Sequence, residues 1–103
     1  MNAVNEPFLK YVIFLHAVPG AKLNKGLRRS HAEHLRMLDE SGRLVLAGPF
    51  IEKNQGMIVI NANSMDEARQ IAEADPFVIN GYRKYEILTL EYCCKDNNYR
   101  SPE

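Results

Sequence analysis

Three polar residues, His31, His34 and Asp75, sit where apolar ones are expected. Wound at about 100° per residue, the segment around residues 28–41 puts Leu27, His31, His34, Leu35 and Leu38 on one arc, with Arg29, Glu33, Arg36, Asp39 and Glu40 opposite. His31 lies inside the core-facing stripe. The same construction over residues 64–74 turns Met65, Ala68, Ile71 and Ala72 inward, and one further helical residue would turn Asp75 inward with them. A carboxylate aimed at a core is costly unless a partner accepts it, and the simplest partner on the neighbouring helix is His31. A carboxylate on one imidazole nitrogen fixes the tautomer and leaves the other nitrogen free as a base. The start of a helix disfavours imidazolium while a carboxylate favours it, so the two influences compete at His31. From the residues alone the pair is either an acid/base dyad or two groups that satisfy each other in a polar core.

Other residues offer weaker chemistry. His31 and His34, three apart, could share a metal, yet no third ligand stands at a convincing spacing, so no metal site and no cofactor are expected. Lys22, Lys25, Arg28, Arg29 and Arg36 face only Glu33 between residues 21 and 36. Such a run is either a solvated face or a place to hold a carboxylate, phenolate or phosphate. Arg28, one turn before His31, is the best candidate for an anion contact. Gly48, Pro49 and Phe50 either bring backbone close to a ligand or end an edge strand. Tyr11, Tyr82 and Tyr85 are candidate pocket walls, with core or interface packing as the alternative. The chain has no Ser/His/Asp nucleophile context, phosphate loop or dinucleotide fingerprint.

The elements that would position these groups follow from length and pattern. At 103 residues the chain has room for one domain, and 46% hydrophobic with 25% charged residues is a globular composition. A formal net charge of zero gives no field to attract nucleic acid or anionic lipid. Residues 1–7 read as an N-terminal arm, 8–92 as the domain, and 93–103 as a polar tail expected to fray. Within the domain, strands are predicted over residues 8–16, 43–50, 57–61 and 84–92, and helices over 28–41 and 64–74. Gly42 is placed to end the first helix, and Ser64 with Glu67 forms a capping box for the second. The residue before Pro76 should leave the helical region. The order is β-α-β-β-α-β, an α+β ferredoxin-like domain with both helices on one face of an antiparallel sheet.

Strands one and three are apolar on both faces, whereas two helices cover one, so a homodimer is expected to bury the other. The RNA-recognition version of this fold needs aromatic residues on strand three, and Gly56-Met57-Ile58-Val59-Ile60 has none, which removes nucleic acid as a partner. Lys10 and His16 interrupt the first apolar stretch, so no membrane partner is expected. Adjacent Cys93 and Cys94 rarely reach disulfide geometry, and a chain of this size without disulfides fits a cytoplasmic location.

Over residues 8–90 the chain resembles the YciI-like, or YCII-related, family. The resemblance rests on Arg28-Arg29-Ser30-His31 leading to Leu35, then Gly42-Arg43-Leu44, Ala47-Gly48-Pro49-Phe50, Gly56-Met57, Asp66-Glu67-Ala68 and Ala74-Asp75-Pro76-Phe77-Val78. Singly weak, these motifs are specific as an ordered set. The resemblance implies a dimeric α+β barrel of ferredoxin-like subunits with an active-site His and Asp, which map onto His31 and Asp75. The family's last strand often ends in Pro followed by an aromatic, where this chain has Thr89 and Leu90. A further similarity of the family, to muconolactone-isomerase-like proteins, implies small cyclic or aromatic substrates handled by proton transfer. The expected function is a cofactor-independent enzyme of lyase or isomerase type acting on a small cyclic or aromatic anion. His31 and Asp75 would be catalytic, and Arg28, Gly48, Pro49 and Phe50 would bind substrate. The alternative from another class is a non-catalytic small-ligand binding or regulatory module. A heme- or oxygen-using barrel relative is the third reading, less favoured because no metal framework is present.

Overall fold

A computed structural model describes residues 8–102; the expected arm, residues 1–7, lies outside the described residues. Strand β1 (Leu9–Ala17) is dense in β-branched and aromatic residues and runs through the middle of the sheet. It pairs antiparallel with β3 (Gln55–Ile60) on one side and β4 (Arg83–Glu91) on the other, while β2 (Leu44–Pro49) pairs antiparallel with β3 at the edge. The sheet order is therefore β2-β3-β1-β4, and the chain has the mixed α+β ferredoxin-like architecture. Alternation along β1 sends Tyr11, Ile13 and Leu15 to one face, where they join Ile58, Ile60, Leu38, Ala68, Ile71 and Ala72 in a single core beneath the helices. A β-bulge between Leu44 and Leu46 keeps Leu44 and Ala47 on that same face.

Helix α1 (Lys25–Glu40) begins one turn before its predicted start. By composition Lys22, Asn24, Lys25 and Gly26 read as a surface loop, but the Asn24 side chain accepts the Leu27 N–H at 2.8 Å and caps the helix, which takes in Lys25 and Gly26. Arg28 thereby becomes a helical residue with His31 one turn further on. Gly42, at φ +77°, lets the chain reverse after α1 while its N–H returns to the Asp39 carbonyl. Helix α2 (Met65–Glu73) starts at the expected Ser64, whose hydroxyl accepts the Glu67 N–H at 3.1 Å. The reciprocal bond of Glu67 goes to the Asn63 N–H rather than to that of Ser64.

Asp75 is extended, at φ −68° and ψ 125°, as a residue before proline should be. A four-residue helix, α3 (Pro76–Ile79), follows at once with Asp75 as its N-cap and Pro76 in its first turn. The sequence pattern did not separate this short element from the turn. The tail also differs from expectation. Residues Lys95–Arg100 make two short 3₁₀ turns across a kink at Asn97–Tyr99; the Asn97 side chain bridges the Tyr92 carbonyl and the Cys94 N–H, and Arg100 pairs with Glu91 at 3.1 Å. Among the described residues no helix is long and apolar enough to cross a membrane. On the helix-free face, Leu46, Leu88 and Leu90 are 51, 53 and 46% exposed beside Val12 and Val59.

Candidate functional site

The stripe on α1 brings His31 over the corner between α2 and α3, where its Nδ1 lies 2.8 Å from Asp75 Oδ1. The same oxygen accepts the Phe77 N–H at 2.9 Å, so one atom both caps α3 and holds the imidazole. The Asp75 side chain is 1% exposed and that of His31 16%. Because a carboxylate only accepts, Nδ1 carries the hydrogen, and in the neutral ring Nε2 is the nitrogen with the free lone pair. The ring is fixed a second time by stacking on Phe77, with centroids 3.8 Å apart and planes 1° apart, and Phe77 in turn meets Tyr82 edge-on at 4.8 Å. Asp75 thus turns inward because it caps a new helix, not because α2 continues through it.

His31 borders a cavity of about 320 Å³, at the small end of the range of small-molecule sites. From the sheet come Leu15, Gly56, Met57 and Ile58; from β2 Ala47, Gly48 and Pro49; from α1 Arg28 and Leu35. Leu23, Phe77, Tyr82 and Arg83 complete the wall. Of the residues expected to bind substrate, Arg28, Gly48 and Pro49 are in this lining. Phe50 is not: it lies beyond the end of β2, its N–H closes the hairpin onto the Gln55 carbonyl at 2.9 Å, and its ring is exposed. Of the three tyrosines only Tyr82 lines the cavity, since Tyr11 is buried in the core and the Tyr85 hydroxyl donates to Glu73 at 2.6 Å. That bond to a carboxylate raises the Tyr85 pKa above the usual phenol value.

Leu23 and Arg83 were not singled out from the sequence, and Met57 and Phe77 entered only as parts of the family motifs. Arg83 had a readable signal, because extending the alternation of Ile87 and Tyr85 by one step puts it on the helix-facing side of β4. Arg36, expected to lie away from the site, is on the outer face paired with Glu33. Among the described residues no group of three His, Cys, Asp or Glu side chains gathers as a metal site, and Cys93 and Cys94 are free thiols.

His34 is the second imidazole behind the cavity. Its Nε2 and Asp75 Oδ2 are both buried without a hydrogen-bond partner in the protein. Burial pushes the His34 pKa below the usual 6.5; the Asp75 charge opposes this, His31 adds to it, and the Ile71 backbone opposes it. With the folded pKa depressed, the unfolded chain binds more protons just below pH 6.5, so stability falls on acidification through that window. Urea midpoints measured between pH 7 and pH 5 should decline, and His34→Gln should flatten the slope. An unchanged slope in the variant would assign the decline to other groups.

Comparison with known proteins adds three findings. The family described as YCII-related domain matches residues 9–91. A Bacillus subtilis (strain 168) protein, the uncharacterized protein YjpA, is 35% identical over 77 residues, which is 75% of this chain and 91% of that one. The solved structure of 5-chloro-2-hydroxyhydroquinone dehydrochlorinase from Burkholderia phenoliruptrix AC1100, in complex with 2,5-dihydroxybenzoquinone, superposes with a TM-score of 0.58 at 20% identity. The superposition covers 86% of this chain and 99% of the dehydrochlorinase, and it shows a shared fold.

Proposed function

Because the chain belongs to the YCII-related domain family, we propose that its cavity is the active site of a cofactor-independent enzyme of lyase or isomerase type, which moves a proton on a small cyclic or aromatic anion. The observation that carries this reading is the bond from His31 to a fully buried Asp75, with the imidazole at the edge of a cavity of about 320 Å³. His31 Nε2 takes the proton as a substrate C–H or O–H bond breaks, and the electron pair left behind forms the new double bond. The imidazolium is stabilised by Asp75. Return of the proton to another atom is isomerisation; departure of an anionic leaving group is elimination. The dehydrochlorinase named above, which shares the fold, is by its name a catalyst of such an elimination on a small hydroxylated ring.

Arg28 holds the anionic group of the substrate. The first turn of α1 contains no acidic residue and carries Lys25 and Arg28, against the helix dipole, so an anion bound there relieves an unfavourable arrangement. Gly48 and Pro49 bring the β2 backbone to the same ligand. Small cyclic and phenolic anions, screened by thermal shift and then by proton exchange with deuterated solvent, should yield a ligand that turns over. His31→Ala should lower that turnover by at least about 10²-fold. Binding with no turnover, unchanged in His31→Ala, would make the site a ligand-binding module instead.

The open sheet face is covered by a second copy of the chain in this reading, since Leu46, Leu88 and Leu90 form an apolar patch that monomers rarely leave to water. Sedimentation equilibrium at micromolar concentration should give twice the chain mass. A single monomeric species would overturn the dimer. Free Cys93 and Cys94 fit a reducing, cytoplasmic location.

A further inference from the structure

The arginines divide by what they hold. Arg36, Arg43, Arg69 and Arg100 each pair with a carboxylate, and Arg29 lies on the outer face of α1. Arg28 and Arg83 line the cavity, and among the described residues neither forms an ion pair. Among the described residues no carboxylate lines the cavity either, Asp75 being sealed behind His31.

Arg83 is nevertheless held in place. It opens β4 opposite Ala17, its Nη2 donates to Asn54 Oδ1 at 2.8 Å, and its guanidinium lies 4.4 Å from the Tyr82 ring centroid. Both anchors are neutral, so they orient the cation without neutralising it, and most of its five N–H donors remain available. Tyr82 rests on Phe77 and Phe77 on His31, so a continuous run of rings ends in this guanidinium. Two uncompensated cations facing one cavity of about 320 Å³ repel each other. A ligand with one negative group answers only one of them.

Building on the reading of the cavity as a site for a small cyclic anion, we propose that Arg83 is a second anion-binding residue, and that the site selects a single ring bearing two negatively charged oxygen groups. Arg28 takes one group and Arg83 the other. Arg83 acts in recognition and sets ligand preference, while His31 moves the proton.

Calorimetric titration of the full chain with benzoate, benzene-1,3-dicarboxylate and benzene-1,4-dicarboxylate tests this directly. The wild type should bind at least one dicarboxylate about tenfold or more tightly than benzoate, the margin of one charge-assisted contact. Arg83→Gln should abolish that preference while leaving benzoate affinity within about twofold, and Arg29→Gln, on the outer face, should leave all three affinities unchanged. Melting of the ligand-free variants confirms that each is folded. No dicarboxylate preference in the wild type, or equal losses in Arg83→Gln and Arg29→Gln, overturns the assignment. Dicarboxylate preference without any turnover leaves Arg83 assigned and removes the catalytic reading. Turnover of a dianionic ring that is indifferent to Arg83→Gln does the reverse.

Discussion

Asp75→Asn is expected to lower turnover by about 10²- to 10⁴-fold while leaving the fold in place. The substitution keeps the volume of a side chain that is fully buried, and an amide oxygen can still accept both the His31 Nδ1 hydrogen and the Phe77 N–H. What disappears is the negative charge that offsets the imidazolium formed when Nε2 takes a proton. A flipped amide is worse still, since it offers N–H to Nδ1 and moves the imidazole hydrogen to Nε2, where no base remains. The new amide also places two N–H groups in a fully buried position where Oδ2 had no hydrogen-bond partner, so stability should fall by about 1–3 kcal/mol. Kinetics on the substrate found by screening, together with urea unfolding, separates the two effects. Unchanged turnover alongside lost stability would make the pair structural.

Ile58→Ala should cost about 2–5 kcal/mol, a large share of the about 5–15 kcal/mol expected for a domain of this size. Ile58 is 2% exposed, opposes Ile13 on β1 and Ala47 on β2, and lines the cavity. Truncation therefore removes core contacts and enlarges the ligand site together. Ile51→Ala is the matched control, because Ile51 is 91% exposed in the β2–β3 hairpin and its loss should change stability by no more than about 0.5 kcal/mol. Equal urea midpoints for the two variants would contradict the packing of helices on sheet described above.

The order of elements was readable because each carried a periodic apolar set, and the pairing of His31 with Asp75 because both interrupted such a set. Where legibility failed, the deciding interaction was local. Asn24 starts α1 through a single side-chain bond, amid lysines and a glycine that resemble loop. Asp75 faces inward through a turn that no helical period describes. Phe50 stands next to the lining residue Pro49, yet alternation and the end of β2 carry it away from the cavity. Arg83 lies one residue before the predicted fourth strand, and its place in the cavity depends on Asn54 and Tyr82, distant or neighbouring groups that no spacing rule connects. The tail holds its shape through the two backbone bonds of Asn97, an effect invisible to composition.

That one carboxylate oxygen both caps α3 and holds His31 ties local opening to chemistry. The Phe77 amide can exchange its hydrogen with solvent only when its bond to Asp75 is released, and release frees the carboxylate that orients the imidazole. Fraying of a four-residue helix thus loosens the hold on His31, and the protection of one backbone amide reports the fraction of molecules in which the His31–Asp75 pair is assembled.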